Sequence, residues 1–394
     1  LYERLATLVS ASKSQHRIAY MAENIHSSTY RYRAANMVEV LNAPATDLAA
    51  GELQTSAACF FSSDLHHAAR IAKHADSLVI SRYRYDAGIG ELIGLFKAQG
   101  KRVWFDIDDW VFDTRAIEVI IESLGQQATD EVLNYWYGVV GRMAQTLRLC
   151  DGAITTNTFL VSKLRPCVDG PVHVAPNFIN AAQLQVSEQM YLRKLATGFA
   201  QGERIKLGYF SGSASHNRDF ALIAPALEVL LLANPQVELV LVGHLDLAAS
   251  LGEAMVARFW RQFADQITQH GFTDYLTLQG LIADVDFNLV PLQSNDFTHC
   301  KSELKYFDAA VVGTVSIASP THAYATAIRH GENGYLAADD AWLAVLQQAI
   351  EKRANYAGMA QAAYQDVQKR YVWREQRTAV LNALDIKNKF KLKP

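Results

Sequence analysis

The chain has 394 residues, half of them apolar, with 37 Lys and Arg against 40 Asp and Glu for a net charge of −3. That length suggests two or three domains, each able to bury a sizeable core. The balanced charge gives no global reason to expect nucleic acid, and no apolar run is long enough to span a bilayer or reads as a signal peptide. Cys59, Cys150, Cys167 and Cys300 are scattered without a CxxC pair. That spacing points away from zinc or a disulfide framework and toward reduced thiols in a cytoplasmic protein. The first residue is Leu1 rather than Met, as expected of an excised piece.

Short β-rich runs alternate with helical stretches, the pattern of parallel α/β domains. In the first half this pattern predicts strands at Arg17–Met21, Ala58–Phe61, Ser77–Ser81, Arg102–Asp106, Gly152–Thr155 and Val172–Ala175. Helices fill Gly88–Ala98 and roughly Ala116–Leu149. The first-strand exit Ser27-Ser-Thr-Tyr-Arg-Tyr-Arg33 and the third-strand exit Ser81-Arg-Tyr-Arg84 carry arginines. These read equally well as ligand contacts or as surface ion pairs. The fourth strand runs into Asp106, Asp108 and Asp109 within Trp104-Phe-Asp-Ile-Asp-Asp-Trp-Val-Phe112. Such a trio reads as a DxD metal site on a diphosphate, or as acids beside a reacting centre, with Asp109 alternatively capping the next helix. The polar stretch from Ile179 to Arg204 lacks a strand signal and reads as a linker.

A second series of strands follows at Lys206–Phe210, Val237–Val242, Tyr275–Gln279, Phe287–Leu292 and Val315–Ala318, with helices starting near Asp219, Ser250, Lys301 and Asp339. Ligands of doubly wound sheets bind at the carboxyl ends of strands. The loop Phe210-Ser-Gly-Ser-Ala-Ser-His-Asn-Arg-Asp219 offers Gly212 and Ser213 for close approach to a phosphate, and Arg218 to pair with it. It is not a GxGxxG fingerprint, so a nicotinamide cofactor is disfavoured. The run Cys300 to Thr321, CKSELKYFDAAVVGTVSIASPT, reads as a helix that opens at Lys301 and Ser302 and stops at Gly313. Leu304, Phe307 and Val311 make its apolar stripe, while Lys301, Lys305 and Asp308 share a neighbouring face. Free N–H groups at its start suit a phosphate, and Asp308 suits an attached ribose. An ordinary amphipathic helix with a solvated charged face fits about as well. His299, just before it, is a candidate sugar contact. Lys387, Lys389, Lys391 and Lys393 make the tail basic, which reads as a solvated tail or as weak adsorption to an anionic membrane.

These motifs resemble glycosyltransferase family 4, whose members have the GT-B fold. There a Glu, seven residues and a second Glu precede Ala, an apolar pair and Gly. Cys300 stands at the first acid position and Asp308 at the second, followed by Ala309, Ala310 and Gly313. Lys301 to Ala309 matches the KSELKYFEA-like string of a polysaccharide-building branch, which includes O-antigen and rhamnosyltransferase-like members. GYFSGSASHNRDF is similar to that branch's phosphate loop, with Arg218 at the basic position. Val174-Ala-Pro-Asn177 resembles the element closing the first domain, and Tyr371-Val-Trp-Arg374 the start of a last helix that crosses back onto it. Asp108 falls where the family carries the His of its HD element.

The resemblance implies two Rossmann-like doubly wound α/β domains facing a cleft. An acceptor domain would cover 1–182, with a helix over 373–388 packing back onto it, and a nucleotide-sugar domain 205–372. The implied activity is transfer of a hexosyl or deoxyhexosyl group from a UDP, GDP or dTDP sugar to a glycan or lipid-linked glycan of a bacterial surface polysaccharide. It would run with retention, without metal or cofactor, in the cytoplasm or at the inner face of the membrane. Gly212, Ser213, Arg218, His299, Lys301, Ser302, Glu303, Lys305 and Asp308 would hold the donor, and Asp108 and Asp109 would act at the reacting centre. Cys300 departs from the family and leaves two rivals: a sugar-nucleotide 2-epimerase on the same fold, and a non-catalytic binding domain.

Overall fold

The computed structural model describes residues 1–10, 15–23, 25, 28–44, 53–200, 202–212, 217–246, 248 and 252–386. The short apolar runs of the first half pair into one parallel six-stranded sheet: β1 (His16–Ala22), β2 (Thr55–Phe61), β3 (Ser77–Ser81), β4 (Arg102–Asp106), β5 (Gly152–Thr155) and β6 (Val172–Val174), in the order β2-β1-β3-β4-β5-β6. Side chains alternate between its two faces, so Ile18 and Tyr20 enter one core layer and Ala19 and Met21 the other. A second parallel sheet holds β7 (Ile205–Ser211), β8 (Val237–Gly243), β9 (Ile267–His270), β10 (Phe287–Val290), β11 (Val315–Ala318) and β12 (Tyr335–Leu336), ordered β12-β11-β10-β7-β8-β9. Strand order reverses between β1 and β3 in the first sheet and between β7 and β10 in the second. Those reversals open the crevices where such sheets hold ligands. The two doubly wound sheets make a GT-B-like architecture.

Four local expectations change. Tyr275–Gln279 is helical, inside Tyr275–Ala283, because Asp274 Oδ1 accepts the N–H groups of Leu276 and Thr277 at 2.9 and 3.0 Å and starts a helix. The strand at that point in the order is the more polar Ile267–His270. The expected linker contains the helix Ala181–Ala196, capped by Asn180. The long 116–149 helix is two, Ile117–Ser123 and Asp130–Leu149, parted at Gly125, whose φ of 67° breaks the helical path. The helix expected at Lys301 starts at Leu304. The start expected at Ser250 lies outside the described residues, where the next helix is Glu253–Gln262.

The chain returns to the first domain at its end. Ile179 exchanges backbone bonds with Tyr371 and Trp373 at 2.8 and 2.9 Å. The helix Arg377–Ala383 then sets Val380, Leu381 and Leu384 into the layer that holds Ile18 and Tyr20. Buried Arg377 donates to the Val40 and Leu53 carbonyls at 2.6 and 2.7 Å. The tail lysines from 387 onward lie outside the described residues. Among the described residues, no helix is long and apolar enough to cross a membrane.

Candidate active site

At the carboxyl end of the first sheet, two arginines divide three aspartates between them. Asp106 accepts a bidentate bond from Arg33 at 2.7 and 2.9 Å, and both side chains are at most 1 % exposed. Arg33 also donates to the Ala175 carbonyl at 2.6 Å and to Asn177 Oδ1 at 3.1 Å. Burial pushes Asp106 up to about 6 against the pull of Arg33. The pair therefore ties β4 to the element closing the first domain.

Asp108 and Asp109 belong instead to Arg82, whose Nη1 donates to them at 3.0 and 2.7 Å, while Thr29 Oγ1 donates to Asp108 Oδ2 at 3.1 Å. Arg82 has a φ of 44°, a left-handed conformation costing roughly 1–3 kcal/mol for a residue with a side chain. Burial works to lower the guanidinium pKa, but Asp109 and Asp108 raise it by more. The three charged side chains remain 15–28 % exposed. Arg82 follows β3 and Thr29 follows β1, which puts this cluster at the first sheet's strand-order reversal. The converging trio of the DxD reading is not formed, since Asp106 turns away to Arg33. Asp109 is no helix cap either: Asp113 caps the next helix, accepting the Arg115 N–H at 3.0 Å.

The second domain contributes residues 299–310. Lys301 is half-buried with its ammonium 4.9 Å over the Phe297 ring, and its N–H, expected for a phosphate, donates to the Thr298 carbonyl at 3.1 Å. Ser302 Oγ accepts from Asn177 Nδ2 at 2.9 Å. Glu303 accepts the Tyr371 hydroxyl at 2.7 Å, and burial raises its pKa despite that bond. The Lys305 nitrogen is covered and has no hydrogen-bond partner among the described residues. Burial pulls its pKa down to about 8. His299 Nδ1 accepts the His322 N–H at 3.0 Å, and its ring lies 5.2 Å from Phe159 of the first domain.

Asp308 departs most from expectation. It lies not on a solvated stripe but in the seam between domains, accepting Gln183 Nε2 at 2.6 Å and the Tyr32 hydroxyl at 3.1 Å. Burial raises its pKa, against Arg31, Gln183 and Tyr32. Cys300 is fully buried and packs, with Phe297, into the first domain's core. Its carbonyl accepts Asn157 Nδ2 at 2.9 Å. Burial first, then the nearby Asp109 carboxylate, holds the proton on its thiol. Arg218 is exposed and donates to the Glu122 carbonyl at 2.6 Å, at the carboxyl end of Ile117–Ser123, where a cation suits the helix dipole. Gly212 leaves β7 exposed, and Ser213 lies outside the described residues.

Several contributors escape a reading of motifs. Arg82 is one, since nothing in Ser81-Arg-Tyr-Arg84 separates Arg82 from Arg84, which pairs with Glu23. Asn157 is another, legible only as a helix cap after β5. Phe272 follows β9 with its ring 68 % exposed and 5.1 Å from His244. A cavity of about 210 Å³ opens at the ends of β10 to β12, lined by Leu292, Ser294, Ser319, Thr321 and Asp339 among others.

Residues 205–353 match the family described as glycosyl transferases group 1. That match covers the second domain, and the chain as a whole has a GT-B-like fold. HepE from Anabaena, solved with UDP and glucose, superposes on this chain with a TM-score of 0.59 at 12 % identity, covering 94 % of this chain and 100 % of its own. Sucrose-phosphate synthase from Thermosynechococcus elongatus gives 0.58 at 14 % identity over 93 % of this chain and 97 % of its own. The pneumococcal O-GlcNAc transferase GtfA, in complex with UDP and GlcNAc, gives 0.53 at 15 % identity over 78 % of this chain and 56 % of its own. These likenesses at low identity speak to the fold. No curated protein matches the chain.

Proposed function

We propose that this glycosyltransferase moves a sugar from a nucleoside-diphosphate donor onto a growing bacterial cell-surface glycan, with retention and without metal. The observation that carries the reading is the docking of the second domain's Cys300–Lys301 turn on the first domain, where Asn157 Nδ2 donates to both carbonyls at 2.9 and 3.3 Å and Cys300 is buried in the first domain's core. Acids and cations thus share one cleft. Lys301 and Lys305, with Arg218 at the rim, neutralise the diphosphate as the glycosidic bond breaks, and charge stabilisation of this kind is worth most in a site closed to water. Asp108, aimed by Arg82 and Thr29, orients the acceptor hydroxyl. Asp308 takes the ribose once the seam opens and Tyr32 and Gln183 give way. Exposed Phe272 is a platform for the base.

UDP donors come first, because HepE was solved with UDP-glucose and GtfA with UDP and GlcNAc. The surface-glycan acceptor and retention rest on the resemblance of Lys301–Ala309 and of the β7 loop. A thermal-shift panel of UDP, GDP and dTDP sugars tests the donor, since a true ligand stabilises by RT ln(1 + [L]/Kd). The expected result is stabilisation by one base and release of that nucleotide in the presence of a glycan. Failure of every nucleotide sugar to stabilise the protein would sink the reading.

A further inference from the structure

The first domain carries a cavity of its own, of about 510 Å³, apart from the candidate site. Three helices meet there. Asp113, Thr114 and Arg115 lead into the helix Ile117–Ser123, Arg148 lies in the last turn of Asp130–Leu149, and Cys167 and Asp169 follow the helix Thr158–Leu164. Two of these helices touch the second domain at their other ends: the Glu122 carbonyl accepts from Arg218, and Asn157 donates to the Cys300 and Lys301 carbonyls. At a rise of about 1.5 Å per residue, the cavity lies roughly 10–15 Å from those contacts. Arg148 and Asp169 shortly precede the amino ends of β5 and β6, whereas doubly wound sheets hold their usual ligands at the carboxyl ends.

The Arg115 guanidinium is set in place before any ligand arrives. Its Nε donates to both Asp113 oxygens at 3.1 and 2.9 Å and its Nη2 to Oδ2 at 2.6 Å, and that carboxylate is only 7 % exposed. Nη1 is left over, on a side chain that is 67 % exposed. Arg148 is exposed and has no ion pair or hydrogen bond among the described residues. A cation in a last turn suits the helix dipole, but that leaves its N–H donors unused. Two guanidinium forks, one braced and one free, fit a phosphate or a carboxylate. The exposed Asp169 carboxylate and Thr114 hydroxyl share the wall, and both accept from hydroxyl groups. The volume falls in the roughly 300–1,000 Å³ range of small-molecule sites, more than a bare ion fills. Phe112, the wall's one aromatic among the described residues, is 1 % exposed and has no face to offer a nucleobase.

We propose that this cavity binds an anionic sugar, a monosaccharide unit bearing a phosphate or a carboxylate, at a site separate from the cleft. Arg115 and Arg148 grip the charged group, and Thr114 and Asp169 take ring hydroxyls. None of the candidate site residues lines the cavity, so the assignment stands apart from the nucleotide-sugar reading. The same chemistry recognises a free phosphosugar and a charged residue of a glycan. Cys167, on the wall, is a built-in reporter. It is half-buried whereas Cys59, Cys150 and Cys300 are buried, so a thiol reagent reaches it first.

The test is calorimetric titration of the full chain with glucose 6-phosphate, glucuronate, inorganic phosphate and glucose, paired with the rate of Cys167 alkylation by iodoacetamide. One of the two anionic sugars should bind at least about tenfold more tightly than phosphate or glucose, and should slow the alkylation several-fold. Arg148→Gln, at an exposed position the fold tolerates, should keep the melting curve, weaken that binding at least about tenfold and remove the protection. Lys301→Ala, in the cleft, should bind the sugar within about twofold of the parent. Preference for glucose 6-phosphate marks a free phosphosugar and preference for glucuronate a charged glycan residue, and either upholds the proposal. Binding that leaves the alkylation rate unchanged, resists Arg148→Gln or is lost in Lys301→Ala overturns it. So does phosphate binding as tightly as the sugars, or failure of both anionic sugars to bind at millimolar concentration.

Discussion

Arg82 and Thr29 between them engage both oxygens of Asp108, so the carboxylate is aimed before any acceptor arrives. Asp108→Asn should therefore lower turnover at least about tenfold while donor affinity stays within about twofold, the pattern of an interaction made at the reacting centre. EDTA should leave the rate unchanged; strong inhibition rescued by manganese would restore the DxD reading. Arg33 gives a different kind of prediction. Removing Arg33 leaves Asp106 buried without its partner, so that it must either stay ionised at a cost or take up a proton, and Arg33→Met should destabilise the protein by roughly 3–5 kcal/mol at neutral pH. Asp106 already sits at about 6 in the folded chain, above its unfolded value, and rises further once Arg33 is gone. Its stability contribution is then present at low pH and lost as pH rises, so the deficit should shrink below about pH 6. Urea midpoints at several pH values check this, and a deficit equal at pH 5 and 7.5 would rule it out.

At the scale of elements, the π-helical segment Arg31–Ala35 does most to shape the seam. Insertions of this kind recur at functional sites. This one sends Arg33 inward to Asp106, Tyr32 across to Asp308, and Arg31 between the Tyr32 and Tyr275 rings at 4.1 and 4.4 Å. If the ribose competes with Tyr32 for Asp308, Tyr32→Phe should tighten UDP binding by a few-fold. Asp308→Ala should weaken it by roughly 1.5–3 kcal/mol, the worth of a hydrogen bond to a charged group. Equal losses in both variants would mean that Asp308 serves the seam alone. Element boundaries were legible where periodicity was strong, as in Ser77–Ser81 and Val315–Ala318, which form as read. They failed at Tyr275–Gln279, whose alternation mimics a strand until Asp274 caps a helix.

On the scale of the whole molecule, side chains from each domain close on the other. Asn157 grips the Cys300 and Lys301 carbonyls at 2.9 and 3.3 Å, Lys163 meets Asp296 at 2.5 Å, and Arg218 meets Glu122. The chain end holds the first domain from outside through Arg377. Arg377→Met leaves the Val40 and Leu53 carbonyls without that donor, at a cost of roughly 3 kcal/mol. For a domain of this size the melting midpoint should fall by about 6–12 °C, with UDP affinity unchanged because Arg377 also bonds Thr55 at the amino end of β2, opposite the carboxyl ends where such sheets hold ligands. A loss of UDP affinity without loss of stability would contradict that assignment.

The sequence by itself determined the two doubly wound halves, because hydrophobic alternation and turn residues act over a few positions and need no partner. It also marked the loops that carry chemistry, since those follow strand ends. What it left open was the partner of each charged side chain. Arg33 and Arg82 occur in similar Tyr- and Arg-rich loops, yet one is buried with Asp106 and the other opens on the cleft with Asp108 and Asp109. Asp308 and Lys305 share a helix face in sequence, but the first is taken by Tyr32 and Gln183 and the second is left without a hydrogen-bond partner among the described residues. Those outcomes depend on contacts between residues far apart in the chain, 276 positions for Tyr32 and Asp308. Burial and pairing at such range decide which charges are structural and which remain for a ligand, and only the packed domains settle them.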